Sequence, residues 1–234
     1  MAHRPRFERA CGSRRSARDA DTSVVILVGQ LIRAKRVDRF LTALALARRS
    51  TPGLRGVVVG DGPERATLEH QAERLGLLPL GVAFLGASAD VPGLMAEADI
   101  LALTSDHEGL PNVILEAMAA RLPVVTTPAG DAADVIEHGV SGFVVPFDAI
   151  EEFAGRLTRL ACSPALRREL GQAGYERVTG RYACTGLADR LFEVYRAAAL
   201  QSGHLPVLDH LSSPPSPESS QTQAVAAVRC KASR

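Results

Sequence analysis

Apolar residues in this chain fall into short unbroken runs separated by longer stretches of helical spacing. "SVVILVG", "RGVVVG", "GVAFLG", "DILALT", "PVVTT" and "GFVVP" are dominated by β-branched and aliphatic residues and bounded by Gly, Pro, Asp or Thr. Runs that lack polar alternation are expected for strands buried on both faces. Between them, "VDRFLTALALARR", "ERATLEHQAERLGL", Val91–Glu97 and "NVILEAMAA" repeat their apolar positions at helical spacing, and a short helical turn is expected near Asp134. Ile150–Ala161, Pro164–Val178 and Thr185–Leu200 are predicted as closing helices. Strands separated by helices predict a parallel sheet covered on both faces, a doubly wound Rossmann-like α/β domain. Ligands of such domains sit outside the carboxyl ends of the strands.

The pattern stops at both ends of the chain. Residues 1–22 carry Arg4, Arg6, Arg9, Arg14, Arg15 and Arg18 and are expected to be a solvated basic linker rather than a targeting peptide. Residues 201–234 contain "SSPPSPESSQTQ", a Pro/Ser-rich stretch expected to be disordered. The foldable part is therefore 23–200.

Composition narrows the classes. With 46% hydrophobic residues in 234, a sizeable core is available, and a wholly disordered chain is excluded. The net charge of +1 argues neither for nor against a polyanionic partner, and no nucleic acid is expected. Cys11, Cys162, Cys184 and Cys230 are scattered, so neither a zinc site nor a disulfide framework is indicated. No apolar run is long enough to span a bilayer, and the N-terminus lacks an apolar signal core. Together these favour a reduced, cytoplasmic-side location.

The chemistry concentrates in "SDHEGLPNVILEAMAARLPVVTT", Ser105 to Thr127. The strand before it delivers "SDHEGLPN" to the carboxyl edge of the sheet. Pro111 suits a first helical turn, where its missing N–H costs nothing, and Gly109 lets the backbone approach a ligand. The helix start offers free N–H groups and the positive end of a dipole, an anion site worth roughly 0.3–2 kcal/mol from the dipole alone. Glu108 lies before this start. Glu116 lies just over one turn inside it, where a carboxylate can accept hydrogen bonds from two ribose hydroxyls. Spacing alone leaves a solvated Glu116 and a helix-capping Glu108 equally open. A glycosidase pair would need carboxylates facing each other across a bond, which sequence spacing does not address.

Other motifs carry less. "DAD" at Asp19–Asp21 mimics a metal-binding Asp-x-Asp but lies before the first strand. The six His residues show no ligand spacing, and His107 is expected to be a solvated loop residue. "GDGPER" follows the second strand, not the first, which argues against a dehydrogenase.

The Ser105–Thr127 stretch is similar to the Glu-x7-Glu motif of retaining GT-B glycosyltransferases, family 4 of that class. "VVVGDGPERATLE", "FLG", "VPGLMAEADILALTS" and "EHGVSGFVVP" stand in that family's order and spacing, so that Val24 to Leu200 resembles its C-terminal, donor-binding domain. The resemblance implies one half of a GT-B fold and transfer of a sugar from a UDP-, GDP- or ADP-sugar with retention, with no cofactor and no required metal. Glu116 would hold the ribose. Glu108 would contact the donor sugar, and the backbone N–H groups of Gly109, Leu110 and Asn112 would hold the diphosphate. The "GQLIRAKRVD" loop, with Gly29, Gln30 and Lys35, corresponds to the family's phosphate-binding loop. Glu108 and Lys35 are the residues expected to act in catalysis. The base would be met by backbone near Ala87 and Ser88.

Three departures stand out. Gln30 occupies a usual Arg position, a loss of roughly 1–2 kcal/mol of charge-assisted phosphate binding that Arg33 or Arg36 is available to offset. Arg36 replaces a common Gly and is expected to strain its loop. "GDAAD" differs from the family's Gly-Gly-x-Pro-Glu, with Asp134 in place of the Glu. The family's acceptor-binding first domain has no counterpart beyond the linker-like "RPRFERA". The chain is therefore expected to be a donor half that works with a separate acceptor-domain chain, a truncated product, or a non-catalytic nucleotide-sugar-binding module. Any membrane association would come through a partner.

Overall fold

The computed structural model describes residues 22–182. The basic leader through Asp21, Cys11, Cys184, Cys230, the helix expected at Thr185–Leu200 and the Pro/Ser-rich tail lie outside the described residues.

Six strands form one sheet: β1 (Ser23–Val28), β2 (Leu54–Val59), β3 (Val82–Gly86), β4 (Ile100–Leu103), β5 (Val124–Thr126) and β6 (Gly142–Val144). Each comes from one of the apolar runs, trimmed at its ends, except that β2 starts one residue earlier, at Leu54. The helices among the described residues are α1 (Val37–Arg48), α2 (Arg65–Arg74), α3 (Val91–Glu97), α4 (Asn112–Ala119), α5 (Ala132–Val135), α6 (Ile150–Ala161) and α7 (Pro164–Arg181). All strand pairs are parallel, in the order β3-β2-β1-β4-β5-β6. This is the doubly wound Rossmann arrangement, and the order reverses between β1 and β4.

The pleat explains why the runs needed no polar alternation. Val25 and Leu27 of β1, Val58 of β2 and Ile100 and Ala102 of β4 pack with Phe40, Leu41 and Leu44 of α1 and Phe153 and Leu157 of α6. Their neighbours Val24, Ile26, Val57, Leu101 and Leu103 face the other way, onto Leu94 and Met95 of α3 and Ile114 and Met118 of α4. Successive side chains thus enter two separate cores.

Local chemistry sets the helix ends. Asp90 caps α3 by accepting from Gly93 N at 3.0 Å, and Ser163 caps α7 by accepting from Leu166 N at 3.2 Å. The buried Arg167 donates to the carbonyls of Leu160 and Ala161 at 2.7 and 2.8 Å and to Ser23 Oγ at 3.3 Å, clipping the end of α6 to the start of β1. No helix among the described residues is long and apolar enough to cross a membrane.

Candidate functional site

The loops that leave β1 and β4 diverge at the carboxyl edge, where the strand order reverses. The first, Gly29 to Arg36, ends in a 3-10 turn over Arg33–Lys35. The second, Thr104 to Pro111, leads into α4. Their tips meet. Lys35 Nζ donates to both carboxylate oxygens of Glu108, at 2.6 and 2.8 Å, and Ser105 Oγ donates to Glu108 Oε1 at 2.6 Å. Glu108 is only 12% exposed and Lys35 24%, so this ion pair is better shielded than a surface pair. Hydrogen bonds to a charged group of this kind contribute about 1.5–3 kcal/mol each.

The two loops are also joined behind that pair. Asp106 N donates to Ala34 O at 2.9 Å, and Thr104 Oγ1 donates to the carbonyls of Lys35 and Arg36 at 3.2 and 2.9 Å. Arg39, 5% exposed on α1, donates to Thr104 O at 2.6 Å and to Asp106 Oδ1 at 2.9 Å. Arg36 reaches Asp106 at 3.1 Å and Asp38 at 3.0 Å. The Asp38 hydrogen bonds raise the Arg36 pKa against the opposing effect of burial, and Asp106 adds to them. For Asp106, burial pushes the carboxyl up, but the hydrogen bonds from Arg39 and Arg36 outweigh it and hold the group below its usual range.

Arg36 has φ of 47° and ψ of 45°, the left-handed region that the Gly-for-Arg comparison anticipated. A side chain there costs roughly 1–2 kcal/mol. Arg36 is committed to its two aspartates. It lines, with Arg33, Asp38, Glu64, Gln71 and Asp106, a cleft of about 500 Å³. It is therefore not free to stand in for the arginine missing at Gln30, which is itself exposed.

A third loop, following β5, closes against the second. A Cβ added to Gly130, at φ of 55°, would lie 2.3 Å from the carbonyl oxygens of both Glu108 and Gly109, so only glycine fits. Asp131 N donates to Gly109 O at 3.1 Å. Gly60 plays the same part beside the first loop, where an added Cβ would collide with Gly29 O.

The helix start differs in one detail from expectation. Pro111 is the residue before α4, with extended ψ of 92°, rather than part of its first turn. Its carbonyl accepts from Ile114 N at 2.9 Å, and no side chain caps the helix. Glu108 is consequently not the cap, because its carboxylate is held by Lys35 and Ser105. Gly109, Leu110 and Asn112 are exposed at this end, and a Cβ on Gly109 would meet nothing within 4 Å. Glu116 is exposed on the outer face of α4. Gly29 lies beneath the Lys35 stem, whose Cδ is 3.8 Å from where a Cβ would be. His107, Asp134 and Ala87 are exposed.

The structure thus brings Gly29, Lys35, Glu108 and Gly109 to one place. Ser105, Thr104, Asp106 and Arg39 were missed in the sequence. Ser105 stands only three residues before Glu108 in the same loop, close enough for its hydroxyl to reach the carboxylate. Arg39, within an otherwise apolar helical stretch, carried no such signal.

The parallel strand order with flanking helices is the Rossmann-like arrangement found in GT-B glycosyltransferases. Residues 12–177 match the family described as glycosyl transferases group 1, and the chain belongs to that family. It is 30% identical over 177 residues to the putative glycosyltransferase EpsD of Bacillus subtilis, covering 76% of this chain and 46% of EpsD. Among solved structures it is similar to Anabaena Alr3699/HepE, crystallised with UDP and glucose: 30% identity, TM-score 0.69, 76% of this chain and 49% of that one. It is also similar to the C-terminal domain of the group 1 glycosyl transferase LpcC from Francisella tularensis, at 27% identity and TM-score 0.64, covering 69% of this chain and 87% of that domain. The chain spans about half the length, or less, of the curated relatives it matches.

Proposed function

We propose that residues 23–200 are the donor-binding half of a retaining glycosyltransferase of the family 4 type, taking a nucleotide-sugar and needing an acceptor-binding half for turnover. The observation that carries this reading is the Lys35–Glu108 pair beside an uncapped helix start at the switch point of the sheet. In this reading the diphosphate lies against the N–H groups of Gly109, Leu110 and Asn112, with Gln30 and the Gly29 backbone on its other side. Charge develops on the diphosphate as the glycosidic bond breaks, and the Lys35 ammonium and the helix start oppose it from fixed positions. Glu108 accepts hydrogen bonds from the donor sugar and orients it, while Glu116 accepts from the ribose. Charge neutralisation is assigned to the chain's own groups, without a cofactor or a required metal. The reading carries with it a cytoplasmic location, reaching the membrane face through a partner.

Isothermal titration of the purified chain with UDP, GDP and ADP tests this, beside Glu116→Ala. Saturable binding of one nucleotide, weakened in the variant, is the expected result and names the base. A folded chain that binds none of the three would sink the donor-site assignment.

A further inference from the structure

We propose that Asp106 is a positioning residue that, by holding Arg36 and Arg39 together, sets Lys35 onto Glu108; this rests on the donor-site reading above. Lys35 is the last residue of the 3-10 turn and directly precedes Arg36. Its side-chain direction is therefore set by how the backbone at Arg36 turns. That turn is left-handed, at φ of 47°, a conformation an arginine does not hold without help.

The help comes from the second loop. The Asp106 carboxylate takes Arg36 at 3.1 Å on one oxygen and Arg39 at 2.9 Å on the other, while its N–H takes Ala34 O at 2.9 Å. Thr104, one end of the same loop, accepts from Arg39 through its carbonyl and donates to the Lys35 and Arg36 carbonyls through its hydroxyl. One aspartate thus ties the strained turn bearing Lys35 to the loop bearing Glu108, two residues away. A neutral side chain at Asp106 would remove the charge from both contacts and leave one acceptor oxygen for two guanidiniums, whereas the backbone bond would remain. Asp106 shares no hydrogen bond with the Lys35–Glu108 pair and acts on it through the geometry of the two loops.

A double-mutant cycle separates positioning from general structure. Lys35→Ala, Asp106→Asn and the double variant are titrated with the tightest-binding of UDP, GDP and ADP. Lys35→Ala is expected to weaken binding on the order of tenfold, and Asp106→Asn at least about threefold. In the Lys35→Ala background Asp106→Asn is expected to change nothing further, because its effect runs through Lys35. In an Arg36→Gly background, where glycine holds the left-handed turn without a tether, Asp106→Asn is expected to cost less affinity than it does in the wild type. Additive losses, or no loss from Asp106→Asn, would overturn the proposal. Unchanged binding in Lys35→Ala would instead overturn the donor-site reading. The proposal is then judged on the NMR signal of the Lys35 ammonium, which is protected from solvent exchange while Glu108 holds it. That signal is expected in the wild type and lost in Asp106→Asn. Its persistence in the variant would overturn the proposal.

Discussion

Two halves of the site are built differently. The inner half, where the loops after β1 and β4 meet, is saturated with internal bonds: Lys35, Arg36, Arg39, Thr104, Ser105, Asp106 and Glu108 all engage one another. In the outer half, Gly109, Leu110, Asn112 and Glu116 are exposed, and no side chain caps the start of α4. The inner half fixes positions in advance, and the outer half supplies groups that a ligand can address. Substitutions inside should therefore cost folding stability first, and substitutions outside should cost binding with the fold intact.

The largest expected effect lies inside. Arg39→Ala strips a buried guanidinium from the Thr104 carbonyl and from Asp106, which keeps only Arg36. It is predicted to destabilise the domain by about 2–3 kcal/mol, measured by urea unfolding. A loss below about 1 kcal/mol would mean that the inner half is not pre-built.

Glu116→Ala is the matching test outside. Nucleotide affinity is expected to fall by roughly 1–3 kcal/mol, with stability within about 0.5 kcal/mol of wild type. Gln30→Arg is the next smaller effect. Position 30 is exposed, so the substitution should leave folding unchanged and tighten nucleoside diphosphate binding by about 1–2 kcal/mol. No gain in a folded variant would mean that the side chain points away from phosphate.

The smallest effect is a pH dependence confined to the inner half. The Asp106 carboxyl is held below its usual range in the fold. Its contribution is therefore present above the unfolded carboxyl pKa and is lost as pH falls through the folded one. Stability should decline below about pH 4 more steeply in the wild type than in Asp106→Asn. Parallel acid profiles for the two would remove Asp106 from the account.

Much of the fold was legible because most strand residues are buried and helices cover both faces of the sheet. A continuous run such as "SVVILV" has no competing amphipathic interpretation, and each run lies beside a glycine, proline or aspartate that ends it. Lys35 and Glu108 were also legible, through a resemblance resting on spacing along the chain. The network behind them was not. Asp106 meets Arg36 and Arg39 across about seventy residues of sequence, and nothing local marks those three as partners. The Arg36 backbone was foreseeable because a glycine is usual there. That an aspartate on another loop stabilises it was not, since long-range ion pairing leaves no periodic trace. Glu108 as a cap was the wrong alternative for the same reason: its partner, Lys35, is distant in sequence.

The central position of β1 has a consequence for how the chain acquires its shape during synthesis. β1 is bordered by β2 on one side and by β4 on the other, and Val24 N is satisfied by the Asp99 carboxylate at 2.9 Å. A nascent chain that has emerged only as far as β3 can therefore pair β1 along one flank alone. Its other flank, which later receives Ile100 and Leu101, stays open as a row of unpaired amide and carbonyl groups. Growth of the sheet must wait for the ribosome to deliver β4. In that interval a long apolar strand is exposed as an adhesive edge, and chaperone demand should peak there rather than at completion.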